Sequence, residues 1–183
     1  MYAPKSDGTE VLTRKTLDGT CKLNVDIFLQ AAAYLATVNA ETFEDAYVCV
    51  IHPYAAYDVK TSKGFEEWNK YTTPDKMWKG EIGRIGDIRF VENSEAKILK
   101  DETCPEDLAV YCTMVIAAHA YGVTEVEGGG LQHIVKQLGS GDDPLNQRST
   151  VGWKAIKTAE RLVEQYMIRI ESCGFKSGTV TAN

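Results

Sequence analysis

Histidine is scarce in this chain: His52, His119 and His133 are the only three among 183 residues. With no HExxH spacing and no close Cys/His cluster, the pattern signals no metal ligand set. Cysteine is little richer. Cys21, Cys49, Cys104, Cys112 and Cys173 make an odd five without a CxxC pair, which signals neither a disulfide framework nor a zinc ribbon. Cys49 and Cys112 sit inside apolar runs, where a thiol behaves as a small hydrophobe; a reducing compartment is the natural reading. No apolar stretch reaches the roughly 20 residues that span a bilayer. The start of the chain, with Lys5, Asp7, Thr9 and Glu10, lacks the apolar middle of a signal peptide. These absences imply a soluble chain made inside the cell, with no membrane partner. Clustered positive charge is missing too: 20 basic residues face 26 acidic ones, for a formal charge of −6. Gripping nucleic acid usually requires a basic patch, because neutralised phosphates and released counterions supply most of the affinity. No sequence-specific nucleic-acid binding is expected.

Catalytic patterns are equally sparse. There is no GxSxG elbow around any serine. Gly128, Gly129 and Gly130 precede a possible helix, as in anion-binding loops, but no GK[ST] follows, and Glu125 and Glu127 would repel an anion. A turning surface loop is the better reading. The acidic pairs Glu66-Glu67 and Asp142-Asp143 lie in polar segments. Carboxylate catalysis instead needs two groups converging on a cleft with separated pKa values. Trp68, Trp78 and Trp153 each have a lysine close by (Lys70, Lys79, Lys154) and could stack on bases or sugars; anchoring a core or a subunit interface is the commoner use of such rings. The expected catalytic, cofactor-binding and metal residues are therefore none, and no cofactor is expected.

What the chain does contain is ordinary globular material, 44% apolar and 25% charged residues. That length suits one domain or two small lobes, burying about 70% of the unfolded surface. Residues 1–22 are polar and turn-rich, a loop or a short edge strand. A helix is predicted from Asn24, its N-cap, to about Asn39, with Asp26 at the positive end of the dipole. Its polar stripe of Asp26, Gln30 and Thr37 is narrow, so burial on most sides is expected. The run from Ala46 to Pro53 reads as a strand covered on both faces, and Pro53 then opens a short helix toward Lys60. Another helix is predicted over Phe65 to Tyr71. Gly80 to Glu92 reads as strands about a Gly86-Asp87 turn, and Val110 to Ala118 as a buried strand. A short amphipathic helix through Ile134, Val135 and Leu138 follows the glycines, and Gly139 to Asn146 is the most turn-rich stretch. Strands are expected at Thr150 to Ile156 and at Tyr166 to Glu171, with a helical turn or wide loop at Thr158 to Glu164. Strands and helices that mix without strict alternation indicate an α+β fold.

Four long strings carry a resemblance. They are YVCVIHPYAAYD from Tyr47, GEIGRIGDIRFVE from Gly80, AYGVTEVEGGGLQHIVKQLG from Ala120 and DPLNQRSTVGWKAIKTAERLVEQYMIRIES from Asp143. Together, over roughly Leu23 to Ser172, they resemble the major capsid proteins of tailed phages of the coliphage N-four type, found also as prophage genes. The resemblance implies the HK97-like phage capsid fold, with this chain holding the axial domain plus the closing part of the peripheral domain. The implied layout is residues 1–22 as a polar N-terminal segment, 23–172 as the axial domain with C-terminal peripheral-domain strands, and 173–183 as a flexible tail. Members of the family are longer. No upstream arm, extended loop or long spine helix precedes Leu23, as in a truncated piece or a shortened gene.

The function so implied is that of a structural subunit, not an enzyme, that self-assembles into an icosahedral shell enclosing a phage or prophage genome. Its partners would be copies of itself in pentamers and hexamers when full length, with scaffolding or portal proteins as further candidates. Its place would be the virion capsid, and the host cytoplasm during assembly. A mild negative charge suits a container that must not adhere to DNA. No position matches the lysine–asparagine cross-link of some related shells. Two alternatives stay open: a nanocompartment shell of the same fold, and a hydrolase joining Cys49 or Cys112 to His52 or His119.

Overall fold

The structure is a computed structural model describing residues 1–62, 64, 81–125, 130–139 and 145–183. Two compact units divide the chain, residues 1–120 with 163–183 and residues 121–162. The predicted helix over Phe65 to Tyr71, together with Trp68, Trp78, Glu66-Glu67, Gly128, Gly129 and Asp142-Asp143, lies outside the described residues.

In the first unit Asn24 opens helix α1, Val25–Thr37, its Oδ1 accepting the Ile27 N–H at 3.0 Å. The helix stops because Asn39 adopts the left-handed conformation, φ +52. The Asn39 N–H reaches the Ala36 carbonyl and the Ala40 N–H the Leu35 carbonyl, which satisfies the last carbonyls as a Schellman motif does. The expected all-round burial is corrected. Val25, Ile27, Phe28, Ala31 and Leu35 are buried, while Ala33, Tyr34 and Ala36 are exposed. Small residues between the large ones make this an amphipathic surface helix.

A mixed sheet lies under α1. Strand β1, Tyr47–Ile51, is followed by helix α2, Pro53–Thr61, with Pro53 at its start as expected. Strands β2, Glu81–Ile85, and β3, Ile88–Glu92, turn at Gly86, whose φ of +55 favours glycine. Short β4, Ile98–Leu99, and long β5, Val110–Ile116, follow, and β10, Met167–Ser172, returns after the second unit. The order is β10-β5-β1-β3-β2, with β4 also on β5. Strand β1 pairs parallel with β3 and antiparallel with β5.

The registers put Tyr47, Cys49, Ile51, Ile88, Phe90, Val115 and Ile168 on one face. There Phe90 meets Phe28 of α1 edge-on, ring centroids 4.8 Å apart. The opposite face is only partly covered: Val48, Val50, Met114 and Ile116 are half-buried. The expectation that β1 is covered on both faces is thus corrected, because α1 lies against one side only.

Residues 1–22 close the β10 edge. Tyr2 bridges Glu171, the Ala3 N–H donates to the Glu171 carbonyl, and Ala3, Val11, Leu17 and Cys21 join the core. Residues 173–183, read from sequence as a flexible tail, are held at several points. Cys173 and Ser177 are buried, Phe175 N–H is bound by Asp58, and the Asn183 Oδ1 accepts from Ile98 N–H at 2.8 Å.

The second unit is two antiparallel ribbons. Strand β6, Tyr121–Glu125, pairs with β9, Lys157–Arg161, and β7, Gln132–Lys136, with β8, Thr150–Lys154. Two expectations are corrected here. The helix through Ile134, Val135 and Leu138 is strand β7, because apolar spacing at i, i+1 and i+4 fits either period over so few residues. Five residues cannot hold an isolated helix, and β8 supplies ladder partners. The loop at Thr158 to Glu164 is strand β9 followed by a 3-10 turn, Glu164–Tyr166. Its local propensity is weak, and β6 decides it.

Candidate assembly surface

Alternation along β7 and β8 sets the chemistry of their ribbon. Cross-strand pairs His133–Trp153 and Val135–Val151 share one face. Ile134, Lys136, Thr150, Gly152 and Lys154 share the other. Every residue of β7, β8 and β9 is exposed. Trp153 is 73% exposed and Val151 76%, so the ring predicted to anchor a core or an interface is not in a core. On the β6–β9 ribbon Tyr121, Val123 and Ala159 line one face. On the other, Leu162 lies 3.3 Å from where a Cβ at Gly122 would stand, a close approach that only glycine leaves open. The turn-rich stretch closes on itself at its ends. A Cβ on Gly139, φ +78, would stand 2.0 Å from the Asn146 Oδ1.

The remaining candidate residues hold no converging chemistry. His52 caps α2: its Nδ1 accepts the Tyr54 N–H at 3.2 Å, and its ring stacks on Tyr111 at 5.5 Å. Burial lowers its pKa, keeping it the neutral acceptor that the cap needs. His119 sits in a left-handed turn, its Nε2 3.3 Å from Glu41 on exposed surface. His133 lies on the ribbon face, and Gly130 stands just before β7. All five cysteines are buried and unpaired. Burial pushes Cys112 up to about 11 and Cys173 up to about 12, and raises Cys49 well above the usual thiol range. Protonated at neutral pH, they are poor nucleophiles. The cavity beside Cys112, about 220 Å³, is lined by Val50, Ala96, Lys97, Leu99, Met114 and Arg169. Neither His52 nor His119 reaches it. Among the described residues no three His, Cys, Asp or Glu side chains could share a metal ion.

Sequence reasoning missed three polar devices that shape the first unit. Glu171, its side chain 3% exposed, receives a two-pronged Arg14 guanidinium, Nε at 2.6 Å and Nη2 at 2.7 Å. The tetrapeptide D-x-T-C occurs twice, at Asp18–Cys21 and Asp101–Cys104. Each time the aspartate Oδ1 accepts from the threonine N–H and hydroxyl, and the cysteine thiol points at it. These bonds hold Asp18 and Asp101 below the usual carboxylate range. Arg14 also donates to the Thr103 hydroxyl at 2.6 Å, tying the second turn to the Glu171 pair. The repeated tetrapeptide was a legible signal. Asp58, buried within α2, carried none.

No family model and no curated protein matches this sequence. Its architecture does match solved structures. The capsid of Ralstonia phage GP4 superposes with a TM-score of 0.70 at 16% identity, over 94% of this chain and 52% of that one. The cyanophage Pam1 capsid gives 0.64 at 11% identity, over 91% and 50%. The acid-stable capsid of Helicobacter pylori bacteriophage KHP30 gives 0.60 at 10% identity, over 83% and 59%. The fold is α+β, of the phage-capsid class. More particularly it is the HK97-like capsid fold, and the chain spans about half the length of the solved capsid chains it matches.

Proposed function

We propose that this chain is part of a major capsid protein, a structural subunit whose copies assemble into the icosahedral shell of a phage or prophage. The observation that carries the reading is the agreement of the whole architecture with phage capsid chains, over 94% of this chain in one case. The four strings quoted above support the finer assignment to the N-four-like type. On this reading the first unit belongs to the axial domain, and the closing strands lead to the peripheral domain. The partners are further copies, in rings of five and six, with scaffolding or portal proteins joining during assembly in the host cytoplasm.

A shell protein works by geometry. One surface must meet a different surface of the next copy so that rings close, and weak contacts suffice because many act at once. Buried, protonated thiols and a histidine spent on a helix cap fit such a scaffold better than a catalyst. Expressing the complete reading frame that contains this chain and imaging the product by electron microscopy tests the reading. Closed particles of uniform size are expected; a monodisperse monomer under all assembly conditions would overturn it.

A further inference from the structure

The β7–β8 ribbon presents an apolar face that nothing among the described residues covers. Val135, Val151 and Trp153 are 64%, 76% and 73% exposed, with His133 beside them. Lone exposed hydrophobics are normal, but several aligned on one ribbon face mark an interaction site. Tryptophan at the centre of such a face is the residue type that most often dominates binding energy.

Charge identifies the partner. Residues 121–162 carry five basic and five acidic side chains, so the whole formal charge of −6 falls on the rest of the chain. Within the described ribbon and its flanks, residues 130–139 and 145–156, Lys136, Arg148 and Lys154 are present with no acid. A basic, tryptophan-bearing ribbon and an acidic body within one sequence are complementary between copies. Complementary charge speeds encounter and selects partners.

We infer that the His133, Val135, Val151 and Trp153 face docks on the acidic first unit of a second copy of this chain. Trp153 is the apolar anchor, and the lysines of the opposite ribbon face supply the charged rim. This is a heterologous contact, one surface meeting a different one, and such contacts close rings or continue as arrays. The inference rests on the shell reading and deepens it by naming the contact.

The test places the photoreactive residue p-benzoylphenylalanine at position 153 of the chain. Equal amounts of light-nitrogen and heavy-nitrogen protein are mixed, irradiated and mapped by mass spectrometry. Mixed-isotope cross-links from position 153 into residues 1–120 or 163–183 are expected. In sedimentation, Trp153→Lys should weaken self-association roughly tenfold or more, with its circular dichroism and melting unchanged because the ring is exposed. Cross-links confined to single-isotope chains would show that the chain covers its own ribbon and would overturn the proposal. Mixed cross-links only into residues 121–162 would overturn it in favour of ribbon on ribbon, and a monomeric wild type would also overturn it. If Trp153→Lys introduced into the complete reading frame leaves normal particles, the docking face is wrong while the shell reading stands. Failure of the unaltered frame to form particles sinks the shell reading itself.

Discussion

Glu171 offers the sharpest test of how the first unit is held together. Its carboxylate is almost wholly buried and takes two short bonds from Arg14. A third bond comes from Arg169 Nε at 2.9 Å, but that side chain is 55% exposed and water screens it. Replacing Arg14 with leucine keeps much of the stem's packing and removes the charge. Glu171 is then a buried anion with one screened partner, and removing one member of a buried pair costs about 3–5 kcal/mol. Arg169 compensates in part, so the lower end, about 3 kcal/mol, is expected. For a chain of this size each kcal/mol lowers Tm by about 2–4 °C, so the variant should melt about 6–12 °C lower. Urea unfolding followed by circular dichroism should show a lower midpoint with an unchanged slope. The double variant Arg14→Leu with Glu171→Met should recover most of the loss, because exchanging a whole buried pair for apolar groups is often close to neutral. A single-variant loss below about 0.5 kcal/mol, the size of an exposed pair, would refute the reasoning. So would a double variant as unstable as the single.

Other expectations follow from the same region. Burial raises the Asp58 pKa above its ordinary 3.8, so the folded state holds this proton more tightly than the unfolded chain. Asp58 therefore adds stability as pH falls through its raised folded value toward 3.8, and Asp58→Asn should flatten that rise; parallel curves for the two proteins between pH 7 and pH 4 would contradict it. A Cβ at Gly174 would stand 1.9 Å from the Asp58 Oδ2, which is pinned by the Phe175 N–H at 2.9 Å. Gly174→Ala should therefore cost about 1–3 kcal/mol, and Asp58→Ala in the same chain should remove the clash, giving a double-variant loss smaller than the two single losses combined. All five thiols are buried, and Cys112 and Cys173 are pushed up to about 11 and about 12. Labelling with a disulfide reagent at pH 8 should be over about a hundredfold slower in the native protein than in urea; one fast thiol in the folded protein would contradict the burial.

Local chemistry in the chain already determined the helix starts at Asn24 and Pro53, the Gly86 turn and the buried strand β5. In each, a cap, a ring-fixed φ, a left-handed glycine or a continuous apolar run acts within a few residues. The likeness to phage capsid proteins was legible as well, because long strings kept their order. Packing against distant segments decided the rest. One-sided cover by α1 left Val48 and Val50 half-buried despite an apolar run that reads as two-sided. Strands β7 and β9 exist because β8 and β6 offer ladder partners far along the chain, information no window of five residues contains. The candidate site divides in the same way. Trp153 stood out as an anchoring residue from its type alone, but only strand register puts it on one face with His133, Val135 and Val151. Asp58 and Glu171 gained their roles from burial, which raises the energetic weight of a carboxylate by withdrawing water and appears only when the chain has closed around it.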